Sequence, residues 1–363
     1  MFKTIVVIGF VQSLFGMLIF LTKRPKHLSF TFLAVWLAVI AIFLGAGLLP
    51  FQVVNYFKPG IFPVLFLLGP LLYLYVSSLA VEDFRFRPIM FVHLAPLLLV
   101  SVHRSLSDAV PISSSLGYNN VYYSLLIVSL TFYWFLSLTL ILKHRKSIPY
   151  HFSNYTPKNS LTWLIFVLSA FLVLFLAHFM HSFLRRVLGA EVLKFPVFPV
   201  NLTLFTFIMI FFGINQSAIY NKEKLKSDSP DEPDSSDEQQ PKYIRPALNE
   251  LQIGEMNQTV VHYLKMKKPF LNPEYNLQMM ADDLNLSRHK LSQVINHSQK
   301  KNFYKFINAF RVEEVKEKLA DPAYEHFTVL GIGLECGFNS KTSFNRIFKE
   351  ETGLTPTEYK RNL

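Results

Sequence analysis

Two patterns of apolar and polar positions divide the chain near residue 220. Before it, apolar runs close to the roughly 20 residues that span a bilayer recur at Ile5–Leu21, Leu28–Leu49, Ile61–Leu79, Val121–Leu142, Leu161–Phe179 and Val200–Ile219. A shorter run, Ile89–Val102, contains Pro96. Counting it predicts about seven membrane-crossing helices, with six or eight as alternatives. After Pro241 the apolar residues recur at three and four, the period of amphipathic helices of ordinary length. A helix is predicted over Leu248–Lys267, ending before PFLNP. In NLQMMADDLNLSRHKLSQVINHS, Asn276 and Ser287 stand where each caps a short helix, with a turn at Asn285 and Leu286 between them. That is the shape of a helix-turn-helix unit. A longer helix, Phe303–Leu319, follows, and then the unit repeats: Thr328 opens TVLGIGLEC, GFNS turns, and KTSFNRIFKEE forms the next helix before Gly353. In TPTEYKRNL, Thr355 and Glu358 make a capping box with Pro356 at the first helical position. The predicted fold class is all-α in both halves.

Between the halves lies SDSPDEPDSSDEQQP, Ser227–Pro241, with six carboxylates, three prolines and four serines. The expected organisation is a multi-span membrane domain over 1–220, an acidic Pro/Ser-rich linker over 221–241 and a helical domain over 242–363. As a flexible chain the strip spans about 20 to 25 Å on average. Its carboxylates are repelled by anionic lipid and by nucleic-acid phosphate alike, so it reads as a solvated spacer.

Composition supports the division. Only 17% of residues are charged, against roughly 25% in soluble domains, and the mean hydropathy is +0.29. The net charge of +11 belongs wholly to the apolar half, which holds 15 basic and 4 acidic residues, while 221–363 holds 21 of each. This charge therefore reports topology before it reports a nucleic-acid partner. With the C-terminus inside, the inner loops carry Lys23, Arg24, Lys26, Arg85, Arg87, Lys143, Arg145, Lys146, Lys158, Lys222, Lys224 and Lys226. The outer segments carry Lys3, Lys58, Arg104, Arg185, Arg186 and Lys194. This twofold bias predicts seven spans with the N-terminus outside. Ile5–Leu21 is followed by KRPKH, unlike the small-residue cleavage site of a signal peptide. The one cysteine, Cys336, excludes an internal disulfide and a cysteine-based zinc cluster, which suits a reducing cytosol.

Chemistry in the apolar half is sparse. Ionisable groups at mid-membrane depth mark ion and proton paths, but Glu82, Asp83, Asp108 and Glu191 all fall in connections. The last span contains no lysine for a retinal Schiff base, and no HExxH or GxSxG pattern occurs. His178 and His181 share a helical face, with His93 and His103 near the short span; they read either as interface histidines or as metal ligands. Pro70, in LLGPLLYLYV, is expected to kink the third span ahead of Tyr73 and Tyr75. Pro70, Tyr73, His93 and His178 are the candidate ligand residues.

In the helix after GFNS, Phe344, Ile347 and Phe348 should face a core, leaving Lys341, Thr342, Asn345, Arg346 and Lys349 outward. These are donors suited to base edges and phosphates in a major groove. In the earlier unit Leu291, Val294 and Ile295 point inward, and Arg288, His289, Ser292, Gln293 and Asn296 outward. A linking helix of about 25 Å would let the two faces reach successive grooves.

The stretch GFNSKTSFNRIFKEETGLTPTEY matches every fixed position of GFxSxxxFxRxFKxxxGxTPxxY, the hallmark of the DNA-binding domain of AraC-type transcription regulators. FINAFRVEEVKEKL resembles that family's linking helix, with Arg311 at its usual arginine. The resemblance covers about a quarter of the chain, from Leu271 to Lys360. It implies base contacts from His289, Ser292, Gln293, Lys341, Thr342, Ser343 and Arg346; Arg288, Asn345 and Lys349 are the expected backbone contacts. Gly331 and Gly333 stand where the family carries good helix formers, each costing about 1 kcal/mol relative to alanine, so that helix is either less stable or more tightly packed. The domain from Lys242 onward carries a net charge of +4, modest for DNA binding, which points to a homodimer. The apolar half resembles, more loosely, that of multi-span regulators.

The expected function is thus a non-enzymatic, membrane-bound, one-component transcription regulator of a bacterial inner membrane. Its partners would be double-stranded promoter DNA, the lipid bilayer and an unknown small-molecule or envelope signal, with no cofactor. The alternatives are a membrane enzyme or transporter with a His-metal site and a regulatory tail, and a membrane assembly protein whose helical tail contacts proteins.

Overall fold

The computed structural model describes residues 2–24, 26–49, 62–81, 84–109, 115–156, 159–187, 197–215 and 249–363. The acidic strip Ser227–Pro241, the end of the sixth long apolar run beyond Asn215, and Lys58, Glu82, Asp83, Lys158, Glu191 and Lys194 lie outside the described residues, as do the side chains of Arg104, Asp108, Arg185 and Arg186. Among the described residues every regular element is helical, as the sequence predicts. The chain divides into two units, Met1–Arg145 with Leu161–Asn221, and Lys146–Ser160 with Lys222–Leu363.

The first unit is built from α1 (Phe2–Thr22), α2 (Leu28–Ala46), α3 (Leu68–Ala80), α4 (Ala95–Ala109), α5 (Ser115–His151) up to Arg145, α6 (Thr162–Val187) and α7 (Val197–Asn215). A 3-10 turn, Phe62–Leu67, leads into α3, and another, Pro88–Leu94, leads into α4. Among the described residues six segments are long and apolar enough to cross a membrane: Lys3–Thr22, Leu28–Ala46, Pro63–Ala80, Ser124–His151, Thr162–Leu184 and Val197–Asn215. The short run corresponds to a shorter apolar helix, Pro88–His103. Pro96 is the second residue of α4, just after the 3-10 turn Pro88–Leu94 gives way to it.

α3 is the most enclosed of these helices, every residue but Tyr73 being buried, and α2 packs beside it. Trp36 is fully buried; its indole donates to the Leu68 carbonyl at 3.1 Å and its ring meets Phe205 edge-on at 5.4 Å. By contrast α1 exposes Ile8, Val11, Phe15 and Leu18, and α5 exposes Val128, Phe132 and Phe135. Apolar faces of that extent are suited to a hydrocarbon surround rather than to water.

The second unit contains α8 (Glu250–Lys267), α9 (Leu277–Asp283), α10 (Arg288–Gln299), α11 (Phe303–Ala320), α12 (Val329–Glu335), α13 (Lys341–Thr352) and α14 (Pro356–Arg361). The capping residues explain where each helix begins. Asn276, Ser287, Asn302, Thr328, Ser340 and Thr355 each accept a hydrogen bond from a backbone N–H in the first turn that follows. Gly353 closes α13 in the left-handed region at φ 80°.

Two cores flank α11. Phe303, Phe306 and Ile307 pack with Leu277, Met280, Leu291 and Ile295 of the first helix-turn-helix unit. Tyr304, Val312, Val315 and Leu319 pack with Ile332, Phe338, Phe344, Ile347 and Phe348 of the second. Gly333 follows from this second core, because a Cβ there would meet Phe344 ring atoms at 2.8 to 2.9 Å. Tight packing, not a loose helix, is therefore the reason for that glycine. At Gly337, φ is +90° and a Cβ would collide with the Phe270 carbonyl oxygen, so the turn requires glycine twice over.

Candidate DNA-binding face

α13 buries Phe344, Ile347 and Phe348, and Lys341, Thr342, Asn345, Arg346 and Lys349 are exposed together on its other side. Ser343 is half-buried at the cap, where its N–H donates to Ser340 Oγ at 3.2 Å and its hydroxyl accepts from Ser340 at 3.1 Å. Arg346 is held at both ends of its fork. Nη1 donates to Glu350 at 2.7 Å and Nη2 to the Tyr304 hydroxyl at 2.8 Å. This orients the guanidinium from within the domain, since Tyr304 belongs to the linking helix.

α10 buries Leu291, Val294 and Ile295. Its opposite side carries exposed His289 and Asn296 and half-buried Arg288, Ser292 and Gln293. Asn296 donates to Ser292 Oγ at 3.3 Å. Every residue expected at the DNA is thus on one or other second helix of the paired units, with Arg288, Ser292, Gln293 and Ser343 half-buried and the others exposed.

Arg311, on α11, has a different place. It is 0% exposed, and all five of its N–H groups have neutral acceptors: Nε donates to Phe270 O at 2.7 Å, Nη1 to Ser153 O at 3.0 Å and Asn308 Oδ1 at 3.2 Å, Nη2 to Ser153 Oγ and Asn272 O at 3.0 Å each. Burial pushes its pKa down to about 9, which leaves it charged at neutral pH. Two of the five acceptors belong to Ser153, in the segment between α5 and α6. The sequence offers only an indirect signal for this: HFSNYTPKNS is dense in Ser, Thr and Asn, but it reads as an ordinary polar connection.

In the first unit of the chain, Pro70 is buried within α3. Tyr73 and His93 come together: their rings meet edge-on at 5.2 Å, and Tyr133, absent from the sequence expectation, joins them with its hydroxyl 3.1 Å from His93 Nδ1. His178 packs instead against Phe198 and Phe179, and His103 Nδ1 lies 2.8 Å from the Tyr122 hydroxyl. Among the described residues no group of three or more His, Cys, Asp or Glu side chains is placed to hold a metal ion.

Comparison with known proteins gives this geometry a family context. A helix-turn-helix domain family matches residues 280–362. The chain is 32% identical over 87 residues to an uncharacterized HTH-type transcriptional regulator of Staphylococcus aureus (strain COL), a stretch that is 24% of this chain and 11% of that protein. The chain thus spans about a tenth of that relative's length. It is also similar to the C-terminal domain of AraT, a response regulator from Geobacillus stearothermophilus, at 23% identity over 32% of this chain and 89% of that one, with a TM-score of 0.24. The C-terminal part of the chain is an AraC-type helix-turn-helix domain.

Proposed function

We propose that this chain is a transcription regulator held in a bilayer by its apolar helices, reading promoter DNA through α10 and α13 under control of a signal received in the apolar half. The observation that carries the reading is α13. It presents Lys341, Thr342, Asn345, Arg346 and Lys349 on one exposed side of a helix whose other side is locked into the domain core, and Arg346 is a guanidinium of the kind that reads guanine bidentately. The expected base contacts are His289, Ser292, Gln293, Lys341, Thr342, Ser343 and Arg346, with Arg288, Asn345 and Lys349 on the backbone. The role is one of binding, not catalysis.

Exposed apolar side chains on α1 and α5 support lipid as the second partner. Counting Pro88–His103 as a seventh crossing puts the N-terminus outside a bacterial inner membrane and the helix-turn-helix domain in the cytoplasm, in keeping with the basic-residue bias. The packing of Lys146–Ser160 within the same unit as that domain supports the same assignment, since this loop is one of the predicted inner ones. The cluster of Tyr73, His93 and Tyr133 beside the Pro70 helix is where we place the signal, a small molecule or envelope component. A homodimer supplies the affinity that a net charge of +4 on 242–363 provides only in part.

The test is binding of the full chain, in bilayer discs, to the DNA upstream of its own gene. Affinity should fall steeply as salt rises, and Arg346→Ala should cost about 1 to 3 kcal/mol at the specific site. Lys349→Ala should weaken specific and unrelated DNA alike. A chain that prefers its upstream region to unrelated DNA at no salt concentration would overturn the proposal.

A further inference from the structure

The connection between α5 and α6 does not behave as a loop of the apolar half. Phe152 forms a single antiparallel bridge with Asn276, the cap of α9. Ser153, 1% exposed, donates through Oγ to the Tyr275 carbonyl and supplies two of the five acceptors of buried Arg311. Its carbonyl also accepts from Asn308 at 3.1 Å. Asn154, 3% exposed, donates to Pro273 O at 2.7 Å and Gly337 O at 3.0 Å, so a single side chain joins the two helix-turn-helix units. Asn339 of the second turn donates to Tyr155 O at 3.0 Å. The segment's own shape is fixed by Asn159, which donates to Asn154 O at 2.8 Å and exchanges bonds with Thr156.

Tyr155 extends this contact toward the DNA face. Its ring meets Tyr304 edge-on at 5.4 Å, and the Tyr304 hydroxyl accepts from Arg346. A short chain of contacts therefore runs from a residue between two candidate spans to the arginine expected to read a base.

We infer that Phe152–Tyr155 is an intramolecular clasp: docked, it braces the two helix-turn-helix units against the linking helix and, through Tyr155 and Tyr304, sets the position of Arg346. Its release is the step by which the apolar half alters DNA reading. The inference rests on the proposed function for its consequence at the DNA, and on geometry alone for the docking. The physical case is that a buried guanidinium is costly to leave short of acceptors, and Ser153 provides two, so docking and domain order are linked. The segment is also continuous at both ends with Ser124–His151 and Thr162–Leu184, each long and apolar enough to cross a bilayer. A shift in either helix is thereby delivered to the clasp covalently. Tyr155 and Tyr304 are positioning residues, since neither is expected to touch DNA.

The experiment uses the full chain in discs of phosphatidylethanolamine and phosphatidylglycerol. Ser153→Cys is alkylated alongside Glu325→Cys, an exposed control on the same unit, and labelled peptides are counted by mass spectrometry. The thiol introduced at position 153 should react about tenfold or more slowly than the one at position 325, and adding Asn154→Ala should bring the two rates together. On the unsubstituted chain, the Thr156 amide, which donates to Asn159, should be protected from hydrogen exchange and lose that protection in Asn154→Ala. This second readout stands even if a cysteine side chain in place of Ser153 disturbs the fold. Equal thiol rates at the two positions without the Asn154 change, or an unprotected Thr156 amide, would overturn the docking.

For the consequence, Tyr155→Ala and Tyr304→Phe should each change affinity for upstream DNA about tenfold in the same direction, and the double substitution no further than either alone. Additive effects, or none, would overturn the role given to Tyr155 while leaving DNA binding intact. If the unsubstituted chain shows no preference for its upstream DNA, the proposed function and the Tyr155 role fall together, and the thiol rates still decide the docking.

Discussion

Gly333→Ala should destabilise the second helix-turn-helix unit although alanine is the better helix former. The gain in propensity is about 1 kcal/mol. Against it, the new methyl carbon would stand 2.8 Å from Phe344 Cδ1 and 2.9 Å from Cε1 and Cγ, well inside van der Waals contact. Phe344 has little room to retreat: it is 1% exposed, with Phe338 at 5.1 Å and Phe348 at 5.9 Å between ring centroids. Overpacking of this kind costs about 1 to 3 kcal/mol, which leaves a net loss of up to about 2 kcal/mol once the propensity gain is set against it. Gly331→Ala is the control on the same helix. There a Cβ would meet Thr328 Oγ1 at 3.0 Å, a cap hydroxyl that can give by a few tenths of an ångström, so stability should stay within about 1 kcal/mol of the natural chain. The chain supplies its own probe, because Cys336 is fully buried in this core and burial pushes its thiol up to about 12. It should be alkylated only when the unit opens, and where closing outpaces labelling its rate reports the opening equilibrium. Gly333→Ala should label up to about 30 times faster than the natural chain, and Gly331→Ala within about fivefold of the natural rate. Labelling about fivefold slower in Gly333→Ala than in the natural chain, the propensity gain with no clash to offset it, would refute the close approach of α12 and α13.

Gly337→Ala should be worse, because the methyl would strain the backbone at φ +90° and sit 2.8 Å from Arg311 Nε, in the path of the Nε bond to Phe270 O; a loss of about 2 to 4 kcal/mol should appear as partly exposed Cys336 under native conditions. Glu358 accepts from Thr355 N–H at 2.8 Å and its hydroxyl at 2.7 Å, and these bonds hold its pKa below the usual carboxylate value. A depressed pKa contributes stability above the ordinary carboxylate range and loses it as pH falls through the folded value. Amide protection in α14, corrected for intrinsic exchange, should therefore fall with acidification in the natural chain and be flatter with pH in Glu358→Gln.

The helical boundaries of the C-terminal domain are legible in the sequence because capping is local. Asn276, Ser287, Thr328 and Thr355 need only the three residues that follow to announce a helix start, and each does so in the structure. Core-facing positions are legible for a related reason, since Phe344, Ile347 and Phe348 recur at helical spacing and so do Leu291, Val294 and Ile295. The two glycines of α12 show where local reasoning stops. Propensity alone leaves open whether that helix is loose or close-packed, and only the position of Phe344, on the next helix, decides it.

Arg311 is where the sequence pattern is informative without being explanatory. Its identity marks a linking helix, but a fully buried guanidinium needs five acceptors, and a motif read along the chain cannot say where they come from. Three come from Phe270, Asn272 and Asn308, near the first helix-turn-helix unit. The other two come from Ser153, 158 residues earlier, in a stretch whose composition suits any polar connection between apolar helices. Hydropathy divides the chain by solvent preference and therefore assigns such a connection to the half that flanks it. Hydrogen-bond demand divides it differently, because a buried cation captures whichever carbonyl and hydroxyl can reach it. Among the described residues the two divisions disagree at Lys146–Ser160. A segment that belongs to one half by continuity and to the other by its bonds is the place where a change in the first can become a change in the second.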